Sequence, residues 1–196
     1  MASEIYGVAV EGLSSLSDFD HLPDNVLKAA RLAVNATARR GVPVAARSME
    51  RQVNFPRGYL TGQDGRLTIS KFASANDLEA RIKGRDRPTS LVRFVRGSAK
   101  TVGKRSGGVT VEVKPGQAKR MPGAFALQLK NGNIGLALRT KSGRPPSMGA
   151  KLIGKGLYLL YGPSVDQVFV KTREYVGDEL ETYMEREFER LVELGL

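Results

Sequence analysis

The stretch AFALQLKNGNIGLALR, residues 124–139, decides the class of fold. Two apolar-rich runs, Ala124 to Lys130 and Ile134 to Arg139, flank Asn131-Gly132-Asn133, and Asn and Gly accept the positive φ that a tight reversal needs. This predicts an antiparallel hairpin. Upstream, Val109-Thr110-Val111-Glu112-Val113-Lys114 is the cleanest alternation in the chain, Leu67 to Lys71 and Leu78 to Lys83 also alternate, and Leu91 to Val95 is a further apolar run. Together they predict an antiparallel sheet of about four to six strands over residues 67–139. Residues 96–108 hold Gly97, Gly103, Gly107 and Gly108 with Lys100, Lys104 and Arg105, and so few apolar side chains do not offset the entropy of ordering. A mobile basic loop is expected there.

Helical patterns flank this sheet. In the 20–54 region, Pro23 to Arg40 reads as a helix with Asp20 and Asp24 at its positive end and Arg39 and Arg40 at its negative end. Gly41 and Pro43 are expected to interrupt it before a second basic piece, Val44 to Asn54, that carries Arg47 and Arg51. A Gly/Pro-rich connection with the apolar run Leu157 to Tyr161 leads to Gly162-Pro163-Ser164, and Ser164 with Gln167 forms a capping-box pattern. From there residues 164–194 repeat apolar side chains at helical spacing, a helix of about 30 residues and ~45 Å that Gly177 is expected to bend. Its stripe exceeds what one small sheet covers, so Val176, Leu180, Met184, Phe188 and Leu191 are expected to serve a neighbouring subunit. The expected architecture is α+β: one domain, residues 1–196, with a long N-terminal and a long C-terminal helix packed on an antiparallel β-sheet bearing extended basic loops.

The chain has 196 residues, 31 Lys and Arg against 20 Asp and Glu, and a net charge of +11. The charge is divided. Residues 1–27 contain Glu4, Glu11, Asp18, Asp20 and Asp24 and no Lys or Arg, net −5; residues 28–155 carry +21; residues 156–196 carry −5. A section so basic repels itself unless something negative lies near it: nucleic acid, an acidic protein surface, or the acidic ends of another copy. With no Cys and the single His21, disulfides, thiolate metal sites and Cys-His nucleophiles are excluded, and no metal or cofactor is expected. The N-terminal residues lack the charged start and apolar run of a secretory signal, and no stretch approaches the ~20 apolar residues of a membrane span, which predicts folding in a cytoplasm without membrane contact.

No catalytic constellation emerges. Gly97 to Lys104 superficially resembles a phosphate-binding loop, but Arg105 stands where Ser or Thr should follow the Lys, and the glycine spacing is wrong. The close acidic pairs Asp18/Asp20, Asp77/Glu79 and Asp178/Glu179 read as solvated or capping residues, and His21 as a boundary residue. The protein is not expected to be an enzyme. The cations are the sharper signal: Arg81, Lys83, Arg85, Arg87, Arg93 and Arg96 crowd the centre, and others continue through Lys151 and Lys155. Lys100, Lys104 and Arg105, then Lys119 and Arg120, are the candidate contacts to nucleic acid or an acidic partner. Without an aromatic RNA-binding motif, a zinc finger or a recognition helix, such contacts track phosphates and do not read sequence. A free, sequence-nonspecific nucleic-acid-binding protein is one function that fits.

Another comes from a resemblance. Met121-Pro122-Gly123-Ala124-Phe125-Ala126-Leu127-Gln128-Leu129-Lys130-Asn131-Gly132 resembles the minor tail protein Z, or tail completion, family of tailed bacteriophages. The order of elements is similar too: a Val-rich strand before Pro-Gly-Ala-Phe, a second strand ending at Arg139, the segment Arg144-Pro145-Pro146, and a helix start at Gly162-Pro163-Ser164-Val165. The resemblance covers residues 20–196. It implies that, within the structural motif Pro122-Gly123-Ala124-Phe125, Phe125 and neighbouring Ala124 anchor the sheet, and that Gly162, Pro163 and Ser164 set the start of the last helix. It also implies a structural virion protein in the tail or neck, assembled in the bacterial host cytoplasm. Such a protein would form a homo-oligomeric ring, of six subunits by analogy with tail symmetry, that joins tail to head around the DNA path. Its partners would be tail terminator or tube proteins and portal or head-completion proteins, with nonspecific DNA contact.

Overall fold

The computed structural model describes residues 7–8, 22–62, 65–97, 107–141, 143–146 and 149–195. In chain order the elements are β1 (Gly7–Val8), α1 (Asp24–Gln52), β2 (Leu67–Lys71), β3 (Ala80–Gly84), β4 (Pro88–Ser90), β5 (Val109–Lys114), β6 (Gln117–Met121), β7 (Ala124–Gln128), β8 (Ile134–Arg139), β9 (Ala150–Gly154), β10 (Leu157–Ser164) and α2 (Val165–Glu193). Every strand pairing is antiparallel. The fold is α+β, with one long helix near each end of the chain packed on antiparallel sheets.

The hairpin forms where the sequence places it. Gln128 pairs with Ile134 and Ala124 with Leu138, and the reversal is closed by the Leu129 amide donating to the Asn133 carbonyl at 2.8 Å. Gly132 alone takes positive φ, at 78°. At the other end of β7, Pro122-Gly123 turns the chain out of β6, with Gly123 at φ 73°. Pro pre-sets its own φ and Gly supplies the positive one, the pair of residues a type II turn asks for. Ala124 and Phe125 then go into the core.

Three expectations change. The strands form three sheets and not one: β1-β3-β2, β4-β10-β8-β7 with β9 on β10, and the separate ribbon β5-β6. Leu91–Phe94 is a 3-10 turn, not a strand, and buries Leu91 and Phe94 beside β10 and β8. Finally, α1 runs unbroken through Gly41 and Pro43. An interior Pro costs a helix about 3 kcal/mol. Here Pro43 is exposed, so the Arg39 carbonyl left without its partner can be hydrated, and tertiary packing holds both halves in line. Gly41 sits where α1, β3 and α2 meet; a Cβ on it would lie 2.9 Å from Ile82 Cδ1 and 3.3 Å from Leu180 Cδ1.

The two helices run antiparallel. Gln52 donates to Thr172 Oγ1 at 3.0 Å, Val44 clusters with Val176 and Leu180, and Ala29 and Ala33 cluster with Leu191. The small side chains of α1 allow this close approach. The capping box predicted at the start of α2 is present: Gln167 N–H donates to Ser164 Oγ and Ser164 N–H to Gln167 Oε1, each at 3.0 Å. The helix continues through Gly177 to Glu193. The main core lies between the helices and the sheets, with Met49, Leu60, Leu67, Leu91, Leu136 and Leu160 fully buried. No described helix is long and apolar enough to cross a membrane.

Candidate polyanion-binding groove

The β2–β3 ribbon shows how this protein handles cations when it supplies their counterions. Lys71 and Arg81 are paired in register, and like charges so placed would repel. Glu79 lies between them: it receives Arg81 Nε at 2.6 Å and Nη2 at 2.8 Å on its two oxygens, and Lys71 Nζ at 3.2 Å. Asp77 also accepts from Lys71, and its other oxygen accepts the Glu79 amide at 3.1 Å. The Arg81 fork, helped by Lys71, holds the Glu79 carboxyl down at about 2, well below the usual 4.5. Of the three close acidic pairs in the sequence, Asp77/Glu79 is this clamp.

A different treatment begins past Gly84. An aromatic row, with Phe94 tilted against Phe55 at 5.9 Å and Phe55 stacked on Tyr59 at 5.6 Å, ends in a Tyr59 ring that is 4% exposed. Three arginines gather on that ring. Arg66 lies over it at 4.1 Å and Arg93 at 5.0 Å, and Arg85 donates to the hydroxyl at 3.3 Å while the hydroxyl donates to Thr89 Oγ1 at 3.4 Å. Cations over an aromatic face are attracted by its quadrupole, so the ring gathers charge without neutralising it. The Arg85 Nε is buried and has no hydrogen-bond partner.

Arg85 and Arg93 line an open groove of about 1540 Å³ between the 3-10 turn, the β7–β8 reversal and β9–β10. Arg87 and Lys151 add further cations, Leu159, Tyr161 and Val92 add apolar surface, and among the described residues no Asp or Glu lines it. Among the described residues none of these four cations pairs with a carboxylate. Around the corner, Asp166 at the start of α2 is pushed up by burial and by nearby Asp86, with Lys83 opposing. Neither Asp86 nor Asp166 is among the described residues that line the groove. A wide trough whose described lining carries cations from several elements and no acid suits an extended polyanion better than a small molecule.

The site residues expected from sequence fare unevenly. Lys100, Lys104 and Arg105 lie outside the described residues, as do His21, Asp18 and Asp20. Lys119 and Arg120 are exposed on β6, outside the groove, with Arg120 donating to the Gly107 carbonyl at 3.3 Å. Val176, Leu180, Met184, Phe188 and Leu191 pack against α1 and β3 of their own chain, so the stripe is used within the protomer. Gly162 and Pro163 border the groove and Ser164 caps α2. Sequence reading missed the groove itself. Arg85-Asp86-Arg87-Pro88 was a visible cluster, but nothing marked Tyr59 as the post beneath it. No group of His, Cys, Asp or Glu suited to a metal occurs among the described residues.

The sequence profile of the family described as prophage minor tail protein Z (GPZ) matches residues 8–196. The chain belongs to the prophage minor tail protein Z family. It is a structural protein of a phage tail, and the resemblance read from Pro122-Gly123-Ala124-Phe125 extends over nearly the whole chain. No curated protein and no solved structure matches it.

Proposed function

We propose that this minor tail protein sits at the head-proximal end of the tail as a neck or completion subunit. There a ring of its copies, six by analogy with tail symmetry, joins tail to head and surrounds the DNA path. Tail terminator or tube proteins lie on one side and portal or head-completion proteins on the other. The observation that supports this most is the groove: Arg85, Arg87, Arg93 and Lys151 with no acid among them. Sequence-blind contact suits DNA that must slide past whatever its sequence. Lys119 and Arg120 on β6, with Lys100, Lys104 and Arg105, add a second basic contact.

The test is complementation of a phage lacking this protein by the variant Arg87→Glu/Arg93→Glu/Lys151→Glu. All three side chains are exposed, so the variant is expected to fold, which circular dichroism checks. The expected result is tails that contain the protein but fail in head joining or DNA delivery, with infective titre down by about tenfold or more, given the weight of phosphate contacts in such binding. Normal titre would overturn the reading. A purified protein that holds duplex DNA at physiological salt yet is absent from virions would favour a free nucleic-acid-binding protein.

A further inference from the structure

The outward side of α2 carries an acidic row. Glu174, Asp178, Glu181, Glu185 and Glu189 follow one another at spacings of four, three, four and four residues, so they line one side of the helix. That side is opposite the one that buries Val176, Leu180 and Leu191 on α1. All five are exposed, and none makes an ion pair among the described residues; the carboxylates of α2 that do, Glu179 and Glu187, lie off the row. Like charges at i and i+4 repel, so the isolated helix is destabilised by its own outer face. Tyr175, three-quarters exposed, borders the row.

The outward side of α1 is the reverse. Lys28, Arg39 and Arg47 are exposed there and Arg31 stands at the margin, against the exposed acids Asp24, one turn before Lys28, and Glu50. None of these four cations is ion-paired among the described residues. Arg39 lies over Phe72 at 5.0 Å, and Phe72 is itself 46% exposed, so this basic face has an apolar centre. The acidic row spans 16 residues, about 22 Å end to end, and the basic one 20 residues, about 28 Å, at a rise of 1.5 Å per residue.

We propose that the acidic outer face of α2 docks on the basic outer face of α1 in a second copy of this chain, with Tyr175 reaching the Phe72 side of that face. The inference rests on the ring reading above and names the surfaces that would build it. Two unlike patches on every copy make a heterologous contact, which repeats from copy to copy until it closes. Each interface relieves the repulsion within one acidic row and within one basic row, so assembly weakens as salt rises.

Two charge-reversed variants test it, their mass read by sedimentation velocity and their folding by circular dichroism. One is Glu174→Lys/Glu181→Lys/Glu185→Lys; the other is Lys28→Glu/Arg39→Glu/Arg47→Glu. The wild-type chain is expected to assemble, each variant to be a folded monomer, and the two variants mixed, or combined in one chain, to assemble again. If wild type and both variants assemble alike, the ring stands and this interface is overturned. Variants that stay monomeric when mixed also overturn it. A wild-type chain that remains monomeric at every concentration removes the ring reading and this inference with it.

Discussion

Lys71 and Arg81 on the β2–β3 ribbon each touch a carboxylate of their own chain, whereas Arg85, Arg87, Arg93 and Lys151 around the groove touch none among the described residues. Both regions belong to the +21 middle section, and the overall charge does not distinguish them. What distinguishes them is whether the chain supplies the counterion. On the ribbon, Glu79 and Asp77 convert cations into a clamp that fixes strand register. At the groove, Tyr59 holds Arg85 and Arg93 close together, and neither has a carboxylate partner among the described residues. Counting basic residues therefore does not separate the two regions, whereas asking which of them have a carboxylate partner does.

The largest expected effect comes from removing the post. Tyr59→Ala takes a buried ring out of the core and should destabilise the fold by about 3–5 kcal/mol, read by denaturant unfolding. Tyr59→Phe keeps the ring and removes only the hydroxyl that joins Arg85 to Thr89, for a loss of about 1 kcal/mol. If the two variants were equally destabilised, the stack would not be what organises the arginines.

Next, Glu79→Gln would turn the ribbon toward the condition of the groove. The folded-state pKa of Glu79 is lowered, so its contribution to stability is complete above about 4.5 and is lost as pH falls toward about 2. The variant should be less stable than wild type at neutral pH and should lose less on going from pH 4.5 to pH 2, as measured by thermal unfolding across that range. Freed of one counterion, Lys71 and Arg81 should also strengthen polyanion binding. The smallest effect is expected from Lys119→Ala/Arg120→Ala on the exposed strand β6. Stability should stay within about 0.5 kcal/mol of wild type, and DNA affinity should fall less than for any pair of groove cations changed to Ala.

Local signals carried much of the fold into the sequence. The 124–139 hairpin and the Ser164–Gln167 capping box both depend on residues close together in the chain, and each is present as read. Tertiary effects were not legible. Pro43 should end a helix, yet it faces solvent on an element pinned by Gly41, Val44 and Ala45. The division into three sheets follows pairings between distant strands, such as β4 with β10, that periodicity does not encode. The groove was hidden for the same reason: its cations come from residues 85–93 and from Lys151, and only the folded chain brings them to one trough.

The central claim is that the groove's cations are neutralised by phosphates. The direct measurement is the salt dependence of duplex DNA binding by wild type and by Arg87→Glu/Arg93→Glu/Lys151→Glu, followed by fluorescence anisotropy over a series of salt concentrations. For wild type, log affinity should fall linearly with log salt, and the variant should bind far more weakly, its slope shallower by about one for each phosphate it no longer neutralises. Equal affinity and equal slope for the two proteins would contradict the account.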